Sequence, residues 1–229
     1  MEVAFTLGGH KLIADEAGAL WWPERRLLAV ADLHLEKASH YARHGQMLPP
    51  YDSIATLERL AGVVRRRAPL TLVLLGDSFH DAGGADRLEP SARDRLARLG
   101  IGRDLIWLAG NHDAALPDFL PGGRAETLDI AGLHLRHQPD DDQRPAEIIG
   151  HFHPVARVAT AQGALRRRCF LHDGARLILP AFGSLTGGLN VRDAAIAALS
   201  HGRERIAFVL GNARVFPIRE ARLLPDRVR

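Results

Sequence analysis

Four short apolar runs in this chain end on the same kind of polar tip, and that repetition limits what the chain can fold into. Leu27-Leu28-Ala29-Val30-Ala31 runs into Asp32-Leu33-His34, and Leu70 to Leu75 into Gly76-Asp77-Ser78-Phe79-His80. Leu105-Ile106-Trp107-Leu108 is followed by Gly110-Asn111-His112-Asp113, and Ile148-Ile149 by Gly150-His151-Phe152-His153. Short apolar runs of this kind read as strands buried on both faces. Folds that alternate helix and strand place ligands and chemistry beyond the carboxyl ends of such strands. Four tips of His, Asp or Asn therefore predict one site gathered from four loops.

The segments between the runs support the same fold class. Asp52 or Ser53 is the expected cap of a helix whose Ile54, Leu57, Leu60, Ala61 and Val64 share a face. Arg65–Arg67 suit the negative end of its dipole, and Pro69 blocks continuation. A second helix opens at Pro90, presents Leu96 and Leu99, and stops at Gly100. Strand, helix, strand, helix, strand implies parallel pairing through right-handed crossovers. Ahead of this unit, residues 3–7 and 10–14 read as a hairpin around Gly8-Gly9, with a short strand over 19–22. Glu36 to Gln46 reads only as a polar segment.

The second half predicts short strands at 127–130 and 133–136, then a surface loop from Pro139 to Pro145 with three consecutive aspartates. A hairpin turns through His172-Asp173-Gly174, joining Arg166–Leu171 to Ala175–Leu179. A glycine-rich stretch, Gly183 to Gly188, precedes a short helical pattern at 192–199, and strands close the chain at 206–210 and 214–218. With no repeat and no linker, one domain over 1–229 is expected, with a loosely held tail from about 220. A net charge of +3 permits an anionic substrate but is far from that of a DNA-coating protein. The single Cys169 excludes an internal disulfide and fits a reducing, cytoplasmic setting. No apolar run approaches bilayer length, and no signal-peptide pattern opens the chain, so no membrane partner is expected.

The tips themselves carry the chemistry. Asp32, His34, Asp77, Asn111, His151 and His153, with His137 at a further strand end, form a donor set of carboxylate, imidazole and carboxamide without thiolate. Such donors suit borderline divalent ions, namely manganese, iron, nickel or zinc. Seven are too many for one tetrahedral site and suit two ions about 3.5–4 Å apart sharing a carboxylate. A pair of that kind activates a water, and phosphorus is the natural target because the ions also neutralise its oxygens. His112, next to Asn111, is placed to protonate the departing oxygen. His137 is preferred to His134, which falls on the other face of a regular strand.

The series DLH, GDSFH, GNHD, a lone His and GHFH, spanning residues 32–153, resembles the calcineurin-like metallophosphoesterase superfamily. The resemblance implies a four-layer α/β sandwich, two facing mixed β-sheets flanked by helices. It implies that Asp32, His34 and His153 hold a first metal, that Asp77 bridges, and that Asn111, His137 and His151 hold a second. His112 is similar to the family's acid or transition-state-stabilising histidine. The GDSFH form, DLHLEKA, His137-Gln138-Pro139 and the stretch Pro180-Ala181-Phe182-Gly183 with Thr186-Gly187-Gly188 resemble one bacterial branch. That branch comprises the ligase-associated DNA damage response endonucleases, manganese-dependent phosphodiesterases with a DNA ligase and a helicase as functional associates. It carries Gly where Glu36 stands here.

The expected activity is thus a two-metal phosphodiesterase acting on nucleic acid through an activated hydroxide. Its rivals are a small-molecule phosphodiesterase or phosphomonoesterase with the same centre, and a non-catalytic protein-binding member of the fold. His80 and Asp113 are expected to orient ligands, and Lys37 to meet a substrate phosphate. Helix-terminus and hairpin roles account for Arg65–Arg67 and Arg166–Arg168 more simply than nucleic-acid contact does. Cys169 and the tryptophans are expected in packing.

Overall fold

A computed structural model describes residues 2–113, 115–140 and 144–226. The first sheet begins with strands β1 (Val3–Leu7), β2 (His10–Ala14), β3 (Leu20–Trp22) and β4 (Leu27–Val30), paired antiparallel in sequence order. Helices α1 (Lys37–Arg43) and α2 (Asp52–Arg67) follow, then β5 (Thr71–Leu75), α3 (Gly84–Arg87), α4 (Pro90–Leu99), β6 (Asp104–Leu108) and β7 (Gly123–Ala125). From β4 to β7 every pairing is parallel, as the crossover pattern predicts. The register is continuous across them: Val30 pairs with Leu74 and Leu74 with Trp107, so the three strand ends are level.

The second sheet holds β8 (Thr127–Ile130), β9 (Leu133–Arg136), β10 (Glu147–Ile149), β11 (Pro154–Thr160), β12 (Gly163–His172) and β13 (Arg176–Ile178). It is completed by β14 (Leu189–Asn190), β15 (Ile206–Leu210), β16 (Val215–Arg219) and β17 (Leu223–Leu224), with α5 (Ala194–Ala198) packed on it. Strands β9, β10 and β13 run parallel, and most of the rest are antiparallel.

Burial explains the layering. Leu57, Leu60 and Val63 of α2 and Leu96 and Leu99 of α4 cover Leu28, Val30, Leu72 and Trp107 on one face of the first sheet. The other face, with Ala29, Val73 and Leu75, meets Leu135, Ile148, Phe170 and Leu177 of the second sheet. The outer face of the second sheet buries Cys169, Leu171 and Val209 with Ile196 of α5. The result is the helix–sheet–sheet–helix sandwich that the resemblance implies. Each such fully buried aliphatic side chain contributes about 1.5–3 kcal/mol relative to exposure. No helix among the described residues is long and apolar enough to cross a membrane.

Four differences from the sequence reading have physical causes. The polar segment after Glu36 contains helix α1, which buries only Ala38 and so lacks an apolar stripe to announce it. Neither Asp52 nor Ser53 caps α2, which begins after Tyr51 without a side-chain cap, because both side chains are drawn into tertiary contacts described below. Strand β11 pairs with β12 from Val155–Arg168 to Thr160–Gly163, where exposure on the outer half hides the strand pattern. Of the segment from about 220, expected to be loose, Leu223 and Leu224 are tied down, Leu224 by pairing with Arg157 and Leu223 by burial, and residues 227–229 lie outside the described residues. Of the aspartate-rich loop, residues 141–143 lie outside the described residues.

Candidate metal centre

The loops beyond β4, β5, β6, β9 and β10 converge where the two sheets meet. The junction is a backbone feature first: Ala31 bridges Ala181 in parallel, and Gly150 N–H donates to the His137 carbonyl at 3.1 Å. Asp32 N–H donates to the Gly76 carbonyl and His34 N–H to the Asp77 carbonyl, locking the first two loops together. To make these turns the chain accepts strain. Asp32, His34, Glu36, Asp77, His151 and His153 all have left-handed φ between 43° and 68°. Each costs on the order of 1–3 kcal/mol and persists only when the surrounding structure over-determines it. Half of the twelve such non-glycine residues described in the chain fall on these loops.

Two clusters result. Asp32, His34 and His153 offer ligand atoms all within 4.8 Å of one another, and so do Asp77, His137 and His151. In the first cluster His34 Nε2 lies 3.1 Å from His153 Nε2, which lies 3.2 Å from Asp32 Oδ1. In the second, His137 Nε2 and His151 Nδ1 each stand 3.0 Å from Asn111 Oδ1. Asp77 Oδ2 stands between the clusters, 3.8 Å from His34 Nε2 and 3.3 Å from His137 Nε2. Imidazole nitrogens pointed at one another and at carboxylate oxygens, with His34 Nδ1 buried and without a partner among the described residues, form a donor set that fits two divalent cations. All seven residues named from the sequence lie at this junction, whereas His134 is turned away to Asp129.

Electrostatics follow from this crowding. Burial and then the neighbouring charge of His153 pull His34 down to about 3. Burial opposes ionisation of Asp77, but His137, the His112 amide and His34 outweigh it and hold the carboxyl at about 2. His137 also suffers burial, yet Asp77 and Asp32 raise it overall. Burial and then His137 lower His151.

His112 is held by its own partners. Its backbone N–H donates to Asp77 Oδ1 at 3.0 Å, and its Nδ1 meets the His80 carbonyl at 2.9 Å. A carbonyl only accepts, so the ring proton sits on Nδ1 and Nε2 faces the centre, 3.9 Å from Asp77 Oδ2. The His80 ring stacks on His112 with centroids 5.6 Å apart, and Tyr41 in turn stacks on His80 at 5.7 Å. Burial and then Lys37 push His80 down to about 4. Asp113 accepts from Phe79 N–H at 3.0 Å, tying the GNHD loop to the GDSFH loop, and burial raises it to about 6. Lys37 opens α1 beside these rings.

Several contributors carry no spacing signal in the sequence. Gln138 Nε2 donates to Asn111 Oδ1 at 3.1 Å, orienting that carboxamide. His40 Nδ1 and Arg87 both donate to Asp81, fastening α1 to α3. Ser53 Oγ accepts from Glu36 N–H and donates to Glu36 Oε1, both at 2.8 Å, while Asp52 accepts from Ala38 N–H at 3.2 Å. These bonds hold Glu36 in the left-handed conformation that a glycine would adopt without strain. Arg66 and Arg67 are taken up by Asp15, so two of the first arginine triplet serve the fold.

Comparison with known proteins places these features in context. A family model described as calcineurin-like phosphoesterase matches residues 25–180. The crystal structure of Pseudomonas putida nuclease MPE is 27% identical, with a TM-score of 0.72, covering 95% of this chain and 100% of that one. Yfce, a phosphoesterase from E. coli, is 14% identical with a TM-score of 0.42, covering 86% of this chain and 98% of that one. No curated protein matches the chain.

Proposed function

The chain belongs to the calcineurin-like phosphoesterase family, and from that premise we propose that it is a metal-dependent phosphodiesterase, an endonuclease that cuts nucleic acid. The observation that carries the reading is the placement of Asp77 Oδ2 between His34 and His137, with His112 Nε2 facing the same oxygen. Likeness to a solved nuclease over nearly the whole length of both chains supports the choice of a diester in nucleic acid. Asp32, His34 and His153 would hold one cation, Asn111, His137 and His151 the other, and Asp77 both. When bound, the ions supply an activated water and neutralise charge on the phosphoryl oxygens.

The protein's own residues do the rest. Asp77, kept ionised, positions His112 through its amide and shares the field of both clusters. Hydrolysis breaks a P–O bond, and the leaving oxygen needs a proton as its charge develops. His112, when its Nε2 is also protonated, delivers it, while the His80 carbonyl and the stacked rings stop the imidazole from turning away. Asn111, oriented by Gln138, fixes the opposite side. The branch resemblance extends the reading to manganese, to DNA damage response beside a ligase and a helicase, and to a cytoplasmic enzyme acting as one domain.

The test is turnover of bis- and mono-(p-nitrophenyl) phosphate with manganese, followed by nicking of circular DNA. Diester hydrolysis and nicking, both abolished by a chelator and by His112→Ala, are expected. Hydrolysis of the monoester alone would sink the diesterase reading.

A further inference from the structure

The glycine-rich stretch from Gly183 to Gly188 has no part in the mechanism above, yet it borders the first cluster at both ends. Gly183 N–H donates to the Asp32 carbonyl, and a Cβ on Gly183 would stand 2.2 Å from the Leu33 carbonyl, between Asp32 and His34. A Cβ on Gly188 would stand 2.4 Å from the His153 carbonyl. Contacts that short exclude any side chain, so both ends of the loop press against the backbone that carries the first cluster's donors.

Three guanidinium groups surround the same loop. Arg168 Nη1 donates to the Ala181 carbonyl at 2.9 Å and also reaches those of Phe182 and Gly183, and Arg166 donates to the Gly188 carbonyl at 2.6 Å. Arg59 of α2 lies 4.4 Å over the Phe182 ring. Among the described residues neither Arg59 nor Arg168 meets a carboxylate, and Arg59 Nε and Nη2 are buried without a partner. Burial and then Arg168 lower Arg59 to about 10, which leaves it cationic at neutral pH. Two largely buried cations without a counter-ion cost free energy that an anion close by would offset.

The amides complete the feature. The carbonyls at the two ends of the loop are occupied, that of Gly183 by Arg168 and Thr186 Oγ1 and that of Gly188 by Arg166. Ser184 N–H is taken by Thr56. Among the described residues, by contrast, nothing in the protein accepts from the N–H groups of Leu185, Gly187 or Gly188, and the space around Gly187 is open. Free amides beside arginine side chains suit an anion.

We propose that the Gly183–Gly188 loop is a phosphate-binding subsite that receives a phosphate of the substrate chain adjacent to the one being hydrolysed. The proposal rests on the phosphodiesterase reading and adds to it: the substrate is a chain of phosphodiesters, and this loop reads its continuation past the first cluster. A lone diester would leave the subsite unfilled.

The wild-type protein without metal, titrated with a short oligothymidylate and followed by amide NMR, gives the direct test. The amides of Leu185, Gly187 and Gly188 should move downfield and saturate with the bound fraction. Arg59→Gln, with its melting temperature checked, should bind the labelled oligothymidylate roughly tenfold more weakly, with a log–log salt slope reduced by about one. Arg59→Lys should recover most of that slope. Oligothymidylate binding that leaves the three amides and the Arg59→Gln slope unmoved would overturn the subsite while the nuclease reading stands. Inorganic phosphate that shifts the amides at equal concentration would also overturn it, marking a site for free phosphate instead. A wild type that hydrolyses bis-(p-nitrophenyl) phosphate but neither binds nor cuts the oligonucleotide would refute the nuclease reading, and this subsite with it.

Discussion

The two sheets contribute unlike halves to one site. From the first come Asp32, Asp77 and Asn111, every oxygen donor, together with His34 and His112. From the second come only imidazoles: His137 after β9, and His151 and His153 after β10. The halves are also braced differently. Loops of the first sheet are long and are held by side-chain bonds from α1, α2 and α3, such as Ser53–Glu36 and Asp81–Arg87. In the second, His137 follows directly from paired β9, His151 and His153 sit in the short connection between β10 and β11, and the bracing sits lower, where buried Glu147 binds Arg136 of β9 and Arg176 of β13. Neither half completes either cluster alone, so closure of the sandwich brings the site together.

The sharpest way to break this comparison is to remove the shared oxygen and a single-cluster imidazole separately. Asp77→Ala should cut kcat for bis-(p-nitrophenyl) phosphate by on the order of 10³-fold and lower metal stoichiometry at both positions. His151→Ala should cost less and spare one ion, read by metal analysis on the purified variants. Equal losses in both would show that Asp77 is not shared.

Next in size is the brace of the second sheet. Glu147 is fully buried between two arginines, so Glu147→Gln leaves uncompensated charge and should cost roughly 3–5 kcal/mol in denaturant unfolding. A loss below about 1 kcal/mol would mean that strand pairing alone positions His137 and His151.

The smallest effect concerns the brace of the first. Arg87, then His40, hold the Asp81 carboxyl well below the ordinary carboxylate range. A depressed folded-state value contributes stability that is present above the unfolded pKa of about 4 and is lost as pH falls below it. Acid unfolding curves of Asp81→Asn should therefore be flatter than wild type below about pH 4 and parallel to it above. If the two coincide throughout, the α1–α3 fastening is not tied to that ionisation.

Much of this was legible in the residues, unevenly so across the halves. Parallel strands β4, β5 and β6 are buried on both faces and end in conspicuous polar tips, so apolar runs and donors could be read together. Helix α1 could not, because its residues serve His80 and Asp81 rather than a core stripe. Ser53 and Asp52 looked like caps since their chemistry is a cap's, and only the approach of Glu36 and Ala38 redirects them. Gln138 and His40 act through partners that are distant in sequence, which no spacing encodes. Strand β11 lies half on an exposed ribbon, where alternation is weak.

Left-handed torsions at Asp32, His34 and Glu36, every second residue of one loop, bear on the order in which the molecule matures. Freed from the bonds that impose them, these torsions would relax to ordinary values and scatter the donors. An unfolded chain would then hold no preformed cluster of donors. On the proposed reading, metal binding would wait for the finished sandwich.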